Sequence, residues 1–298
     1  MEVLVVISIL SLIVLVLMSV FNSTQAAFRA GVTQTDVLEG SRSAMELMTA
    51  DLKTMTASGG YSNSFLNTYY VQNWSAANFY ASSFFTTKTL LQNLPASNEP
   101  RSNVLQGFFI LSRGNVGGHN LWIGTGYAVD VNSSSPLYPL YRFSTNVPAS
   151  FDPAVLINTY LSYVSSNNRN FFTNSGWSHL IDGVVDLRVH AYAPNGYQMT
   201  NTYQFISDQW ITNKNVWFSQ PINGEVGFYF FSNALPAAVE LQVGVLEDRA
   251  LQRAESLNDP AIIGLSLSQS NYLANQVGRV HIFRQRVTIP NLDRTSYQ

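Results

Sequence analysis

The sequence predicts an α+β protein: a long N-terminal helix, membrane-spanning in its first half and amphipathic in its second, packed on an antiparallel β-sheet head. Three observations carry this expectation. Residues 3–21 are Val, Ile, Leu, Met and Phe interrupted only by Ser8, Ser11 and Ser19, with no ionisable side chain between Glu2 and Arg29. The pattern then turns amphipathic, and no proline precedes Pro95 to break a helix. Beyond residue 100, short runs alternate between apolar and polar residues, the period of half-buried strands.

As a helix rising ~1.5 Å per residue, residues 3–21 span about 28 Å, close to the hydrocarbon thickness of a bilayer. Serine is tolerated there because its hydroxyl bonds back to a carbonyl one turn earlier. Such a segment has three destinies. A cleaved secretory signal finds a cleavage site in Thr24-Gln25-Ala26, although Glu2 stands where a basic residue is expected. A plain single-span anchor fits the length. In the third, the helix is an assembly element and Glu2 has a task, since an acid at the mouth of a span is costly unless paired or held in the headgroups.

The second half of the helix follows from spacing. Leu38, Met45, Met48, Leu52 and Met55 recur at intervals of seven, three, four and three, one narrow stripe on a helix. This stripe is expected to bury against a sheet containing Val185, Leu187 and Val189. Ser58-Gly59-Gly60 ends the element, and Gly31 and Gly40 permit modest bends. The chain thus divides into a transmembrane helix (1–28), its amphipathic continuation (29–60) and a β-rich head (61–298).

Within the head, 61–103 is an aromatic-rich insertion without a clean period. Strands are expected at 105–113, 121–129 and 137–144. The clearest is 183–192, where Val185, Leu187, Val189 and Ala191 alternate with Asp186, Arg188, His190 and Tyr192, one face buried and one wet. Segments 225–231 and 239–246 read as a further pair, 247–257 as a helix, and 279–289 as a closing strand stopped by Pro290. Two polar stretches, 147–177 and 198–220, read as loops. Neither an internal repeat nor a linker composition occurs.

Composition excludes several classes of function. Of 298 residues, 16 are Lys or Arg and 18 Asp or Glu, for a net charge of −2. At 11% charged, the chain has less than half of the roughly 25% usual in a soluble domain. No basic run suits nucleic acid. With no cysteine, disulfides, thiolate metal sites and a Cys nucleophile are out. The four histidines (His119, His179, His190, His281) lack a metal-ligand spacing. Asp182, Asp186 and His190 stand four apart, which would share a helical face, but the alternation around them says strand, with these residues on its wet side. The glycines at 114–118 and 124–126 lack the P-loop lysine and the dinucleotide spacing, and read as hairpin turns or bulges. No Gly-x-Ser-x-Gly elbow occurs. Residues 146–152 offer one Asp among neutral oxygens, a poor calcium loop. No catalytic residue, cofactor or metal is expected.

The opening Met1-Glu2-Val3-Leu4-Val5-Val6-Ile7-Ser8-Ile9-Leu10 resembles the start of type IV pilin-like proteins, in which a Gly-Phe-Thr-Leu-x-Glu processing motif opens a lone spanning helix. Aligned so, Glu2 matches the family's glutamate and Met1 the x before it, and the basic leader and Gly-Phe-Thr-Leu would lie upstream. The helix continuation from Ser41 through Met45 and Leu52 to Lys53 resembles that of larger minor pilins and pseudopilins. Ala234-Leu235-Pro236-Ala237-Ala238-Val239-Glu240-Leu241 and Phe283-Arg284-Gln285-Arg286-Val287 resemble their late strands.

The resemblance implies a non-enzymatic minor subunit of a type IV pilus or type II secretion pseudopilus. Its helix would sit in the inner membrane and its head in the periplasm. Its partners would be other pilin-like subunits, a prepilin peptidase, the assembly platform and lipid, with Glu2 pairing with a neighbour's N-terminal amine. The runner-up is a membrane-anchored module binding an extracellular polymer through its aromatic, Asn-rich loops. An anchored hydrolase is a third class.

Overall fold

A computed structural model describes residues 2–59, 76–83, 90–94, 99–130, 138–164, 176–200, 204–206, 209–211, 215–219, 224–257 and 267–292. Helix α1 (Glu2–Lys53) opens the chain. It is followed by β1 (Ala77–Ser83), β2 (Leu91–Asn93), β3 (Pro100–Ser102), β4 (Gln106–Val116), β5 (His119–Val129) and β6 (Leu140–Pro148). Next come α2 (Ala154–Val164), β7 (Trp177–Ile181), β8 (Val184–Tyr192), and the short strands β9 (Gln204–Ile206), β10 (Gln209–Ile211) and β11 (Val216–Phe218). The chain continues through β12 (Phe228–Phe231), β13 (Ala238–Leu246), α3 (Asp248–Ser256), α4 (Leu267–Ala274) and β14 (Val280–Thr288). The protein is α+β.

Two antiparallel sheets dominate. The larger has the order β11-β12-β1-β4-β5-β6-β7 and the smaller the order β14-β13-β8. Leu105 bridges Leu187, joining the start of β4 to β8 and hence one sheet to the other. The expected pairing of 225–231 with 239–246 does not occur: β12 pairs with β1 and β11, and β13 with β8 and β14. Local sequence marks a strand, but its neighbour is chosen by which faces must be buried together.

Alternation along β4 builds two cores. Phe108 and Ile110 face a core shared with β8, β13 and α1, whereas Phe109 and Leu111 face the opposite side, covered by α2. Helix α2 falls inside 147–177, expected as loop. Asp152 starts it by accepting the Ala154 N–H at 2.9 Å, and Leu156, Ile157, Tyr160 and Val164 form its buried stripe. The Gly124-Thr125-Gly126 run is therefore no turn but the middle of β5. A Cβ on Gly126 would lie 2.4 Å from the Tyr160 ring, and one on Gly124 would lie 2.9 Å from Leu156. Gly117 and Gly118 do make the β4–β5 turn, with φ of 60° and 83°.

Helix α1 is 52 residues long and stops at Lys53, short of Ser58-Gly59-Gly60. Thr54 and Met55 donate back to the Asp51 and Leu52 carbonyls, and Met55 then bridges Ser112 of β4 as a strand residue. Helix α1 lies against β14 and β7, an edge strand of each main sheet, so the helix closes the side that both sheets leave open. An edge covered in this way is shielded from pairing with other chains.

Candidate functional site

The most distinctive feature is what α1 leaves uncovered. Residues Val5–Gln25 are apolar enough to cross a membrane, and none of that window is buried. Val6, Leu10, Leu12, Leu17 and Phe21 are each more than 60% exposed, which no soluble helix tolerates over so long a run. Ser8 and Ser11 donate to the Val5 and Ser8 carbonyls at 2.8 and 2.9 Å, so these two hydroxyls need no partner from lipid. A single N-terminal apolar helix of this kind fits a single-pass anchor, and by length and composition it equally fits a signal sequence. Glu2 is the first residue of α1, and its side chain lies outside the described residues. Val37, about 18 Å along the helix from Gln25, is the first residue of α1 packed against the head core among those whose side chains are described.

The head then grips the helix. Met45, Met48, Leu52 and Met55 are at most 4% exposed and share one core with Val185, Leu187 and Val189. Leu38 departs from the expected stripe. It is 36% exposed, because the head reaches Val37 on the flank but stops short of the surface above Leu38. Ser41, Ala44 and Thr49 are buried instead, as small side chains that let the sheets approach the helix. The Ser41 and Thr49 hydroxyls are satisfied by the Val37 and Glu46 carbonyls.

A polar lock fixes the helix end. Asp51 accepts two hydrogen bonds from the Arg142 guanidinium, at 2.8 and 3.1 Å, and a third from the Tyr127 hydroxyl. Burial beside Asp51 pushes the Tyr127 phenol far above its ordinary pKa, so it stays a donor. The lock ties α1 to β5 and β6. In sequence these residues stand 76 and 91 positions from Asp51, so no local pattern announces them.

The outer face of β8 was expected to be wet, and it is not. Asp186 is fully buried. It accepts from Arg188 Nε at 3.0 Å, Gln242 Nε2 at 2.7 Å and the Val104 N–H at 2.9 Å, and lies 3.5 Å from Arg101. Gly244 makes room, since a Cβ there would meet the Asp186 side chain at 2.9 Å. Arg188 continues to Glu225 at 2.7 Å, Glu225 to His190 at 2.9 Å, and His190 faces Glu240 at 3.7 Å. Asp182 is separate, in the β7–β8 turn, 2.7 Å from His179. Segments 101–104 and 224–226 cover this face, and the paired cations make burial of the acids tolerable. Glu225 thereby clasps the smaller sheet to the approach to β12 in the larger one.

That clasp has a predictable pH dependence. Burial alone would raise the Glu225 pKa, but His190 and Arg188 outweigh it and hold the carboxyl below its ordinary range. A depressed folded-state pKa contributes stability above the unfolded value of about 4.3, and that stability is lost as pH falls through the folded value. The thermal midpoint of the parent should therefore fall more steeply on acidification below pH ~4.3 than that of Glu225→Gln, which has no proton to take up there. Parallel acid profiles would show that the clasp carries no linkage.

Other expected features resolve simply. Asp152 is engaged at the α2 N-terminus, so 146–152 forms a strand end and helix start. Among the described residues, no three His or carboxylate groups converge to hold a metal ion. No family model matches this chain, and neither the curated proteins nor the solved structures give a match.

Proposed function

We propose that the protein is a non-enzymatic pilin-like subunit, which enters a fibre or pseudopilus through its N-terminal helix. One observation carries the reading: a single unbroken helix has an apolar half wholly without intramolecular cover, while its last turns are built into the head core. An anchor needs only the first property, and a cleaved signal would not be continuous with a core element. Uncovered apolar surface of this extent is stable in lipid, or against the same helices of neighbouring subunits. The head, at more than 200 residues, is bulky for a unit repeated along a thin fibre, which favours a minor position.

In this reading Glu2 supplies register. Its carboxylate pairs with the α-amine of a neighbour as the subunit leaves the bilayer, so both charges are neutralised together. Desolvation offsets much of the attraction, so the gain is specificity rather than raw affinity. Glu2→Ala should leave the head folded and the chain in the membrane while reducing co-purification with pilin-like partners several-fold. Glu2→Asp should restore little, because its arm is one methylene shorter. Undiminished pull-down by Glu2→Ala would return Glu2 to the headgroups and the protein to a plain anchor. Intact mass of the membrane-extracted chain is a second check, since a mature start just after Ala26 would mean a cleaved signal.

A further inference from the structure

Helix α3 divides its residues cleanly. Ala250, Leu251 and Ala254 are buried, Asp248 and Glu255 are half-buried on the flanks, and Arg249, Gln252, Arg253 and Ser256 form the exposed face. Across from that face stand Tyr272 and Gln276 of the α4 segment and Arg279 at the start of β14. Together they line a cleft of about 510 Å³, within the roughly 300–1,000 Å³ of small-molecule sites. Among the described residues, the lining holds three of the chain's 16 Lys and Arg residues and one carboxylate, Glu247. Glu247 is already committed to Arg279 at 2.9 Å and His281 at 3.4 Å. Arg253 has its guanidinium 5.9 Å from the Tyr272 ring centre and no carboxylate in ion-pair reach among the described residues. Arg249 has a partner of its own.

The position of the cleft matters as much as its charge. Asn291, just past β14, donates to the Met55 carbonyl at 2.9 Å, so the far end of β14 meets the C-terminal end of α1. The start of β14, where Arg279 lies, is therefore at the opposite pole, where α1 leaves the head. Consistently, a Cβ on Gly183 would lie 3.4 Å from Leu251 of α3, and one on Gly40 of α1 would lie 3.7 Å from Ile181. Lipid headgroups extend about 5–7 Å beyond the hydrocarbon. An upright α1 would thus hold the cleft roughly 10 Å above them, and tilts within the range of about 0–40° found for spanning helices bring a cleft beside the helix down to headgroup level.

We propose that this cleft binds a phosphoryl anion, held by Arg253 and Arg279 with the Gln252 and Gln276 amides, in the field of Arg249. Guanidinium forks match tetrahedral phosphate oxygens in pairs, and the amides supply further donors without adding charge. The anion is either free phosphate or the phosphodiester of an acidic lipid in the bilayer that holds α1. The inference stands whether or not the chain assembles into a fibre.

The test uses the full chain in maltoside micelles. Inorganic phosphate, dioctanoyl-phosphatidylglycerol and zwitterionic dioctanoyl-phosphatidylcholine are titrated separately by calorimetry. Saturable binding of phosphate or phosphatidylglycerol is expected, weakened about tenfold or more in Arg249→Gln/Arg253→Gln, with phosphatidylcholine inert. Saturation by phosphate alone assigns a free anion, and saturation by phosphatidylglycerol alone assigns a headgroup. Arg249→Lys/Arg253→Lys should keep the salt dependence but lose affinity, because the fork is gone. Both substituted positions are exposed, so circular dichroism melts of each variant should match the parent. Equal binding by parent and Gln variant, or no saturation by either anion, overturns the proposal.

Discussion

Asp186→Ala should destabilise the protein by about 3–5 kcal/mol, the range for breaking a buried ion pair from one side. The reason is what remains behind. Asp186 is fully buried and holds Arg188, Gln242, the Val104 N–H and Arg101 in one constellation. Without it, two guanidinium groups at 21% and 18% exposure lose their shared counter-ion in a region with little water. Asp186→Asn discriminates charge from shape. It fits the same space beside Gly244, but its amide turns a donor toward donors, so it too should cost several kcal/mol. Chemical denaturation of the detergent-solubilised full chain measures both. A loss below about 1 kcal/mol in either variant would mean that Glu225 takes over the cations.

Leu52→Ala should cost about 2–5 kcal/mol through lost burial and a cavity the sheets cannot close. Leu52 is fully buried in the core that α1 shares with β4, β8 and β13, and the Asp51 lock next to it prevents the helix from sliding into the space. Leu38→Ala is the internal control. Leu38 is partly exposed beyond the head, so its loss should change stability by no more than about 0.5 kcal/mol. Thermal melts of the two variants side by side should separate clearly. Equal midpoints would place the stripe's energy in contacts between chains.

The same two sites show how far local sequence reaches. The interval pattern 45, 48, 52, 55 found the helix face that carries the core, because a helix repeats every 3.6 residues whatever it packs on. The pattern could not say where the head ends along that face, and so included Leu38. Alternation found β8 and β13 within one residue of their bounds. It then assigned Asp186 to solvent, because period 2 specifies two faces but not what covers the second. Helix α2 is a different matter. Asp152-Pro153 followed by Leu156, Ile157 and Tyr160 is a legible start and stripe, obscured by the polar residues around it.

By itself, then, the sequence determined the apolar helix, its amphipathic continuation, the α+β class and the positions of seven of the fourteen described strands. Each depends on hydrophobic periodicity over neighbouring residues or on the insolubility of a long apolar run in water. Only the tertiary structure decided the division into two sheets, the pairing of β12 away from β13, and the wedging of α1 between edge strands. It alone assembled Asp51 with Tyr127 and Arg142, Asp186 with Arg188 and Gln242, and Arg253 with Arg279 across the cleft. Those groups come together only because burial is favourable when whole faces meet, and that choice is made between segments far apart in the chain.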